Sequence, residues 1–337
     1  MKKMNVVQVN KSGDWEAVER DMVMPTTNQV RIKVAACGVC HSDVFVKENL
    51  WPNLQFPRVP GHEIAGIIDE LGPNVSKWKV GQRVGVGWAG ARCGQCLPCR
   101  HGDFILCENH QITGLDYDGG YAQYMIAPVE ALAAIPDELS LAEAAPLMCA
   151  GITTFNALRH SVAQAGDLVA IQGVGGLGHL AIQFANKMGF KTVALSKGAD
   201  KEALAKKLGA HIYIDSADKD VALELKKLGG AQVILATAPS GKSISPLIDA
   251  LANKGELVIV GASHDPIEVI STQLISANRS IKGWASGSAI DVEETLQFCA
   301  LTGIRPMIQQ YPLAQTEKAF EDMMTNKVRF RAVIMMQ

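Results

Sequence analysis

The sequence predicts an α/β protein built from a discontinuous β-rich domain and a doubly wound parallel sheet. Three observations carry this. Short Val/Ile-rich runs broken by Gly and Pro fill residues 1–150. Strand-like and helix-like runs alternate over 151–285. A glycine turn, Gly173-Val-Gly175-Gly176-Leu177-Gly178, follows the first strand of that alternation and opens its first helix.

In the first domain the strand-like runs include 30–35, 64–69 and 83–86. In the second they are 168–172, 191–195, 211–215, 232–237, 256–260 and 280–283, with helical stretches at 177–188 and 200–208. The tail carries amphipathic helices at 291–301 and 316–325 and a terminal strand at 332–335. It is expected to pack back on the first domain. The expected domains are therefore 1–150 plus 286–337, with a lobe at 93–107, and 151–285.

Hydrophobic residues at 48% against 20% charged suit a globular chain with a full core. A net charge of −2 gives no attraction for nucleic acid or an anionic membrane. The N-terminal lysines are followed by no apolar stretch, and no window reads as a membrane span, so a cytoplasmic location is expected.

The eight cysteines are better read as ligands or thiols than as disulfides in such a chain. Cys93-x2-Cys96-x2-Cys99-x7-Cys107 is the most specific local signal. Four thiolates at this spacing can wrap one tetrahedral Zn²⁺ with no open position, a structural site. Free thiols and an iron–sulfur cluster are the alternatives. Spacing does not link Cys40, His62 and Cys149. Each has an ordinary reading: a redox pair with Cys37, a hydrogen-bonded histidine, a core cysteine. Cys299 reads as a buried thiol. Pro239–Ser243 hints at a triphosphate-binding loop, but Ala236 stands where its first glycine is required, so it reads as a turn.

CGVCHSD, PGHE, the four-cysteine lobe, LMCAGIT and GVGGLG occur in the order found in zinc-containing medium-chain alcohol dehydrogenases. Over nearly its whole length the chain resembles that family, most closely its microbial and yeast-like branch, with some similarity to cinnamyl-type enzymes. The resemblance implies a GroES-like catalytic domain and a Rossmann domain. It implies that Cys40, His62 and Cys149 hold a catalytic zinc with one open position, that Glu63 binds it transiently, and that Asp43 orients His62. It further implies that Ser42 starts a proton relay and that Thr153 lies near the nicotinamide. His41, Arg331 and the loop Gly173, Gly175, Gly176, Leu177 and Gly178 would contact cofactor phosphates. Phe45, Trp51 and Trp88 would line the substrate cleft.

The chain departs from its relatives at two places. Ser196 stands where NAD-preferring members carry an acid, and Lys197 and Lys201 follow it. A carboxylate repels a 2′-phosphate, whereas a hydroxyl with lysines accepts one, which favours NADP(H) and leaves NAD(H) open. Phe45 stands where many relatives carry a relay histidine. The expected function is interconversion of a primary alcohol, aromatic ones included, and its aldehyde by a homodimer or homotetramer. A secondary-alcohol or polyol dehydrogenase and a non-catalytic zinc- and nucleotide-binding regulator are the alternatives.

Overall fold

The structure is a computed structural model describing residues 2–336. The chain divides into two compact units, Met1–Ile152 with Ser286–Gln337, and Thr153–Ala285.

The first unit is organised around a seven-stranded sheet. Gln29–Gly38 lies at its centre, antiparallel to Ile64–Leu71, Tyr124–Pro128 and Arg331–Met335. Side chains alternate across a strand, and here Val30, Ile32 and Val34 are buried while Lys33 faces out. Ile308–Pro312 pairs in parallel with Arg331–Met335, so the chain's end completes a sheet begun near its start. A separate hairpin, Lys3–Val9 with Trp15–Asp21, supplies Val6 and Val7 to the same core.

A continuous helical run, Leu141–Arg159, is 19 residues long with mean hydropathy 1.2, apolar enough to cross a membrane. Its apolar window is 83% buried inside the protein, which makes it a core helix. Ser140 caps it reciprocally with Glu143. Pro146 interrupts it, and Leu147–Gly151 widens into a π-turn. Proline removes an amide donor, and π-turns of this kind occur often at functional sites.

The second unit is a six-stranded, wholly parallel sheet of Leu168–Gln172, Lys191–Ser196, Ile212–Asp215, Ala231–Ala236, Leu251–Ile259 and Ser280–Gly283. In space the strands run third, second, first, fourth, fifth, sixth, the doubly wound Rossmann order. The fifth strand starts at Leu251 rather than at 256. Leu251 pairs with Ala231 before a register shift, and Lys254 at φ +60 makes the interruption look like a loop in sequence. The glycine turn leaves the first strand beside the fourth, where the direction of winding reverses and such folds bind ligands.

Candidate functional site

The four clustered cysteines converge. Their sulfurs all lie within 4.8 Å of one another, with Cys93–Cys107 at 3.6 Å and Cys96–Cys107 at 3.9 Å. A disulfide needs ~2.0 Å. Tetrahedral zinc with ~2.3 Å bonds sets its sulfurs ~3.8 Å apart, so the cage fits a single ion. An iron–sulfur cluster places several irons and sulfides between its cysteines and needs a wider one. Amides of Gln95 and Cys96 donate to Cys93 Sγ, as does the Asn109 side chain, and they hold the Cys93 thiol down at about 6. Burial pushes Cys99 up to about 12. Holding all four as thiolates in this volume would take a cation. Gly102 at φ +87 ends the short helix Leu97–His101 and turns the chain toward Cys107.

The second cluster joins residues that spacing cannot connect. Cys40 follows the strand Gln29–Gly38 and His62 precedes Ile64–Leu71, and the pairing of Cys37 with Ile64 brings these ends together. The π-turn presents Cys149, whose Sγ is 3.9 Å from that of Cys40. Ligand atoms of Cys40, His62, Glu63 and Cys149 all fall within 4.8 Å of each other. His62 Nε2 is buried with no hydrogen-bond partner, an orphan that a metal would satisfy. The protein's own charges split the thiols. Cys149 and His62 hold Cys40 well below the thiol range, while the Cys40 hydrogen bond and burial push Cys149 well above it. The donor set therefore fits zinc.

Asp43 is buried beside this cluster. Its Oδ2 accepts the Cys40 amide at 2.9 Å, and its Oδ1 lies 3.5 Å from His62 Nδ1. Glu63 is fully buried, and its Oε1 accepts from Arg331 at 2.5 Å while Oε2 has no partner. Burial drives its carboxyl up to about 7, with Arg331 pulling the other way. Gly38 is required here, because a Cβ would meet Glu63 Oε2 at 1.9 Å. Arg331 is itself buried and also donates to the Val39 carbonyl. Cys37 is a free, buried thiol within the core.

Phe45, Trp51 and Trp88 form a chain of rings, at 5.6 Å and 6.2 Å between centroids, that ends edge-on to His62 at 4.9 Å. All three also pack against a small core cluster around Val9 and Ile112. His41 is exposed and Ser42 half-buried on the turn His41–Asp43, and Thr153 is buried in the second unit.

The glycine turn has the geometry of a dinucleotide cradle. Gly173 sits at φ +97, and a Cβ on Gly178 would meet the Gly173 carbonyl at 1.8 Å, so both are needed by the fold. A Cβ on Gly175 would meet nothing within 4 Å. That open space lies at the N-terminus of the helix Gly178–Lys187, a position that suits an anionic group. Ser196 is buried at the end of the second strand, with Lys197 exposed and Lys201 half-buried beyond it.

Sequence reasoning missed two residues. Asp215 pairs in register with Ser196, and its Oδ1 accepts the amides of Gly198 and Ala217. Tyr121 donates to Asp43.

A four-cysteine cage, a second cluster of Cys40, His62 and Cys149 with Glu63 beside it, and a Rossmann glycine loop together define a zinc-dependent dehydrogenase. Residues 26–137 match the alcohol dehydrogenase GroES-like domain, and residues 176–300 match the zinc-binding dehydrogenase domain. The chain is 47% identical to the alcohol dehydrogenase patD of Penicillium expansum over 94% of its own length and 92% of the relative's. Among solved structures it is similar to a cinnamyl alcohol dehydrogenase of Sorghum bicolor, with TM-score 0.89, 29% identity, and coverage of 99% and 97% of the two chains. It is also similar to a Helicobacter pylori enzyme of the CAD type solved with NADP(H), with TM-score 0.86, 26% identity, and coverage of 99% and 98%. The chain belongs to the zinc-containing alcohol dehydrogenase family and is an oxidoreductase.

Proposed function

We propose that the protein interconverts a primary alcohol, aromatic ones included, and its aldehyde by hydride transfer to or from NADP(H). The observation that carries this is the Cys40–His62–Cys149 cluster, with its orphaned Nε2 and a 3.9 Å sulfur–sulfur distance. Bound zinc supplies Lewis acidity, making an alcohol hydroxyl more acidic in oxidation and a carbonyl more electrophilic in reduction. Cys40 and Cys149 bring two negative charges to offset the ion's, and Asp43 fixes the His62 ring. Glu63, whose Oε2 is unpartnered, would exchange onto the metal. Ser42, two residues from Cys40, accepts the substrate's hydroxyl proton through its Oγ. Phe45, Trp51 and Trp88 give the substrate an aromatic wall. A panel of ethanol, benzyl alcohol, cinnamaldehyde and secondary alcohols, assayed by cofactor absorbance, tests this. Turnover confined to secondary alcohols or polyols, or none with zinc loaded, would reject it.

The preference for NADP(H) rests on Ser196, Lys197 and Lys201. The neighbouring Asp215 carboxylate, engaged by the amides of Ala217 and Gly198, is held below its usual range and so stays ionised, a charge that opposes this preference. The Helicobacter pylori relative solved with NADP(H) supports the same choice. Like charges brought together cost several kcal/mol, so Ser196→Asp is expected to lower the NADPH-to-NADH ratio of kcat/KM by about 100-fold. An unchanged ratio would place the 2′-phosphate elsewhere.

Phe45 carries no titratable group, so the relay from Ser42 runs to the cofactor ribose or water. Phe45→His is expected to add an inflection near pH ~6.5 to hydride transfer. Alcohol oxidation should rise as pH passes upward through that value, because only the neutral imidazole accepts a proton. An unaltered profile means that position 45 lies off the path.

Eight cysteines free of disulfide bonds support a cytoplasmic setting. The edge strand Ser280–Gly283, with exposed Ile270 and Ile275 nearby, supports a homodimer or homotetramer.

A further inference from the structure

Tyr121 lies 78 residues from Asp43 in sequence, yet its Oη donates to Asp43 Oδ2 at 2.7 Å with both side chains buried. The same oxygen accepts the Cys40 amide, and the other carboxylate oxygen faces His62 Nδ1. Asp43 thus touches two of the three candidate metal ligands, and Tyr121 is the side chain that holds Asp43 from behind. Its own position is over-determined. The amides of Gly119, Gly120 and Tyr121 donate to the carbonyls of Val59, Gly61 and Pro60, lacing its segment to the one that leads into His62. The Tyr121 ring fills the space over Gly61, where a Cβ would meet Cδ1 at 2.8 Å. Burial and the adjacent Asp43 keep the phenol well above its ordinary range, so it stays a donor at any working pH.

We propose that Tyr121 is a positioning residue for the zinc held by Cys40, His62 and Cys149. Its hydroxyl fixes the orientation and shares the charge of Asp43, and through Asp43 it sets how firmly Cys40 and His62 grip the ion. The inference rests on the catalytic-zinc reading given above. Losing a partner of this kind typically costs ~10–100-fold in metal affinity, and the lower end applies to a group acting through a carboxylate.

Tyr121→Phe removes one oxygen and keeps the ring that packs near Trp15. Zinc release from the intact enzyme into a chromogenic chelator should show two phases, one per site. The variant should release the catalytic zinc about 10-fold faster and leave the four-cysteine phase unchanged. With Co²⁺ in the catalytic site, the ligand-field bands should shift. A merely structural tyrosine would speed both phases together, lower the thermal midpoint and leave the Co²⁺ spectrum unmoved, and that result overturns the proposal. A catalytic phase within two-fold of the parent's overturns it as well. A parent enzyme that holds zinc only at the four-cysteine site would instead reject the catalytic-zinc reading, and the proposal with it.

Discussion

Cys149→Ala is expected to lower the zinc content from two ions per chain, one for each cluster, to one. It should lower kcat/KM by about 10⁴-fold, equivalent to ~5 kcal/mol of transition-state stabilisation. Cys149 is the candidate ligand supplied by the π-turn Leu147–Gly151. Removing it leaves Cys40 and His62, two donors for an ion that needs three protein ligands and an open position. The loss falls on chemistry rather than stability. The surrounding residues Leu147, Met148 and Ala150 are buried and keep their packing. Metal analysis with steady-state kinetics on the same preparation checks this. Full zinc content with unchanged turnover would remove Cys149 from the metal site.

Cys107→Ser is expected to act the other way, on stability first. Cys107 is buried, contacts Cys93 and Cys96, and accepts the Cys93 amide. The lobe it closes has little core of its own. Leu97 and Leu106 are exposed, and its regular structure is the short helix Leu97–His101 with one turn near Phe104. The ion therefore holds the lobe, as structural zinc holds small domains that cannot fold without it. The variant should bind one zinc, the catalytic one. Its thermal midpoint should fall by on the order of 10 °C, given ~2–4 °C per kcal/mol for chains of this order of size and a loss of several kcal/mol. Limited proteolysis should cut first within 93–107. Calorimetry that shows an unchanged midpoint would make the cage dispensable.

Local patterns made most of the fold legible. The parallel sheet announced itself as alternating runs, the glycine turn as a fixed spacing after a strand, and the four-cysteine lobe as thiols at a spacing that suits one zinc ion. The Cys40–His62–Cys149 cluster was different. No local rule joins residues more than a hundred positions apart, and only the family resemblance grouped them in sequence. The structure adds the physical means: strand ends aligned by the pairing of Cys37 with Ile64, and a π-turn after Pro146 that no periodicity signals. Tyr121 was hidden for the same reason, because GGYAQY reads as ordinary loop and strand until its ring is seen over Gly61. Asp215 became relevant to Ser196 only through strand register. The pairing of buried Arg331 with Glu63 joins residues 268 positions apart and has no local signal. The early start of the strand Leu251–Ile259 was masked by a bulge whose residues resemble a turn.

The central claim is that one of two zinc ions does the chemistry while the other holds a lobe. Stepwise chelation, with NADPH-dependent aldehyde reduction followed alongside zinc release, tests it most directly. Turnover should vanish in proportion to the loss of a single equivalent of zinc, and one equivalent of Zn²⁺ should restore it while the four-cysteine zinc stays bound throughout. Turnover that survives departure of that zinc, or that tracks the four-cysteine ion instead, would contradict the account.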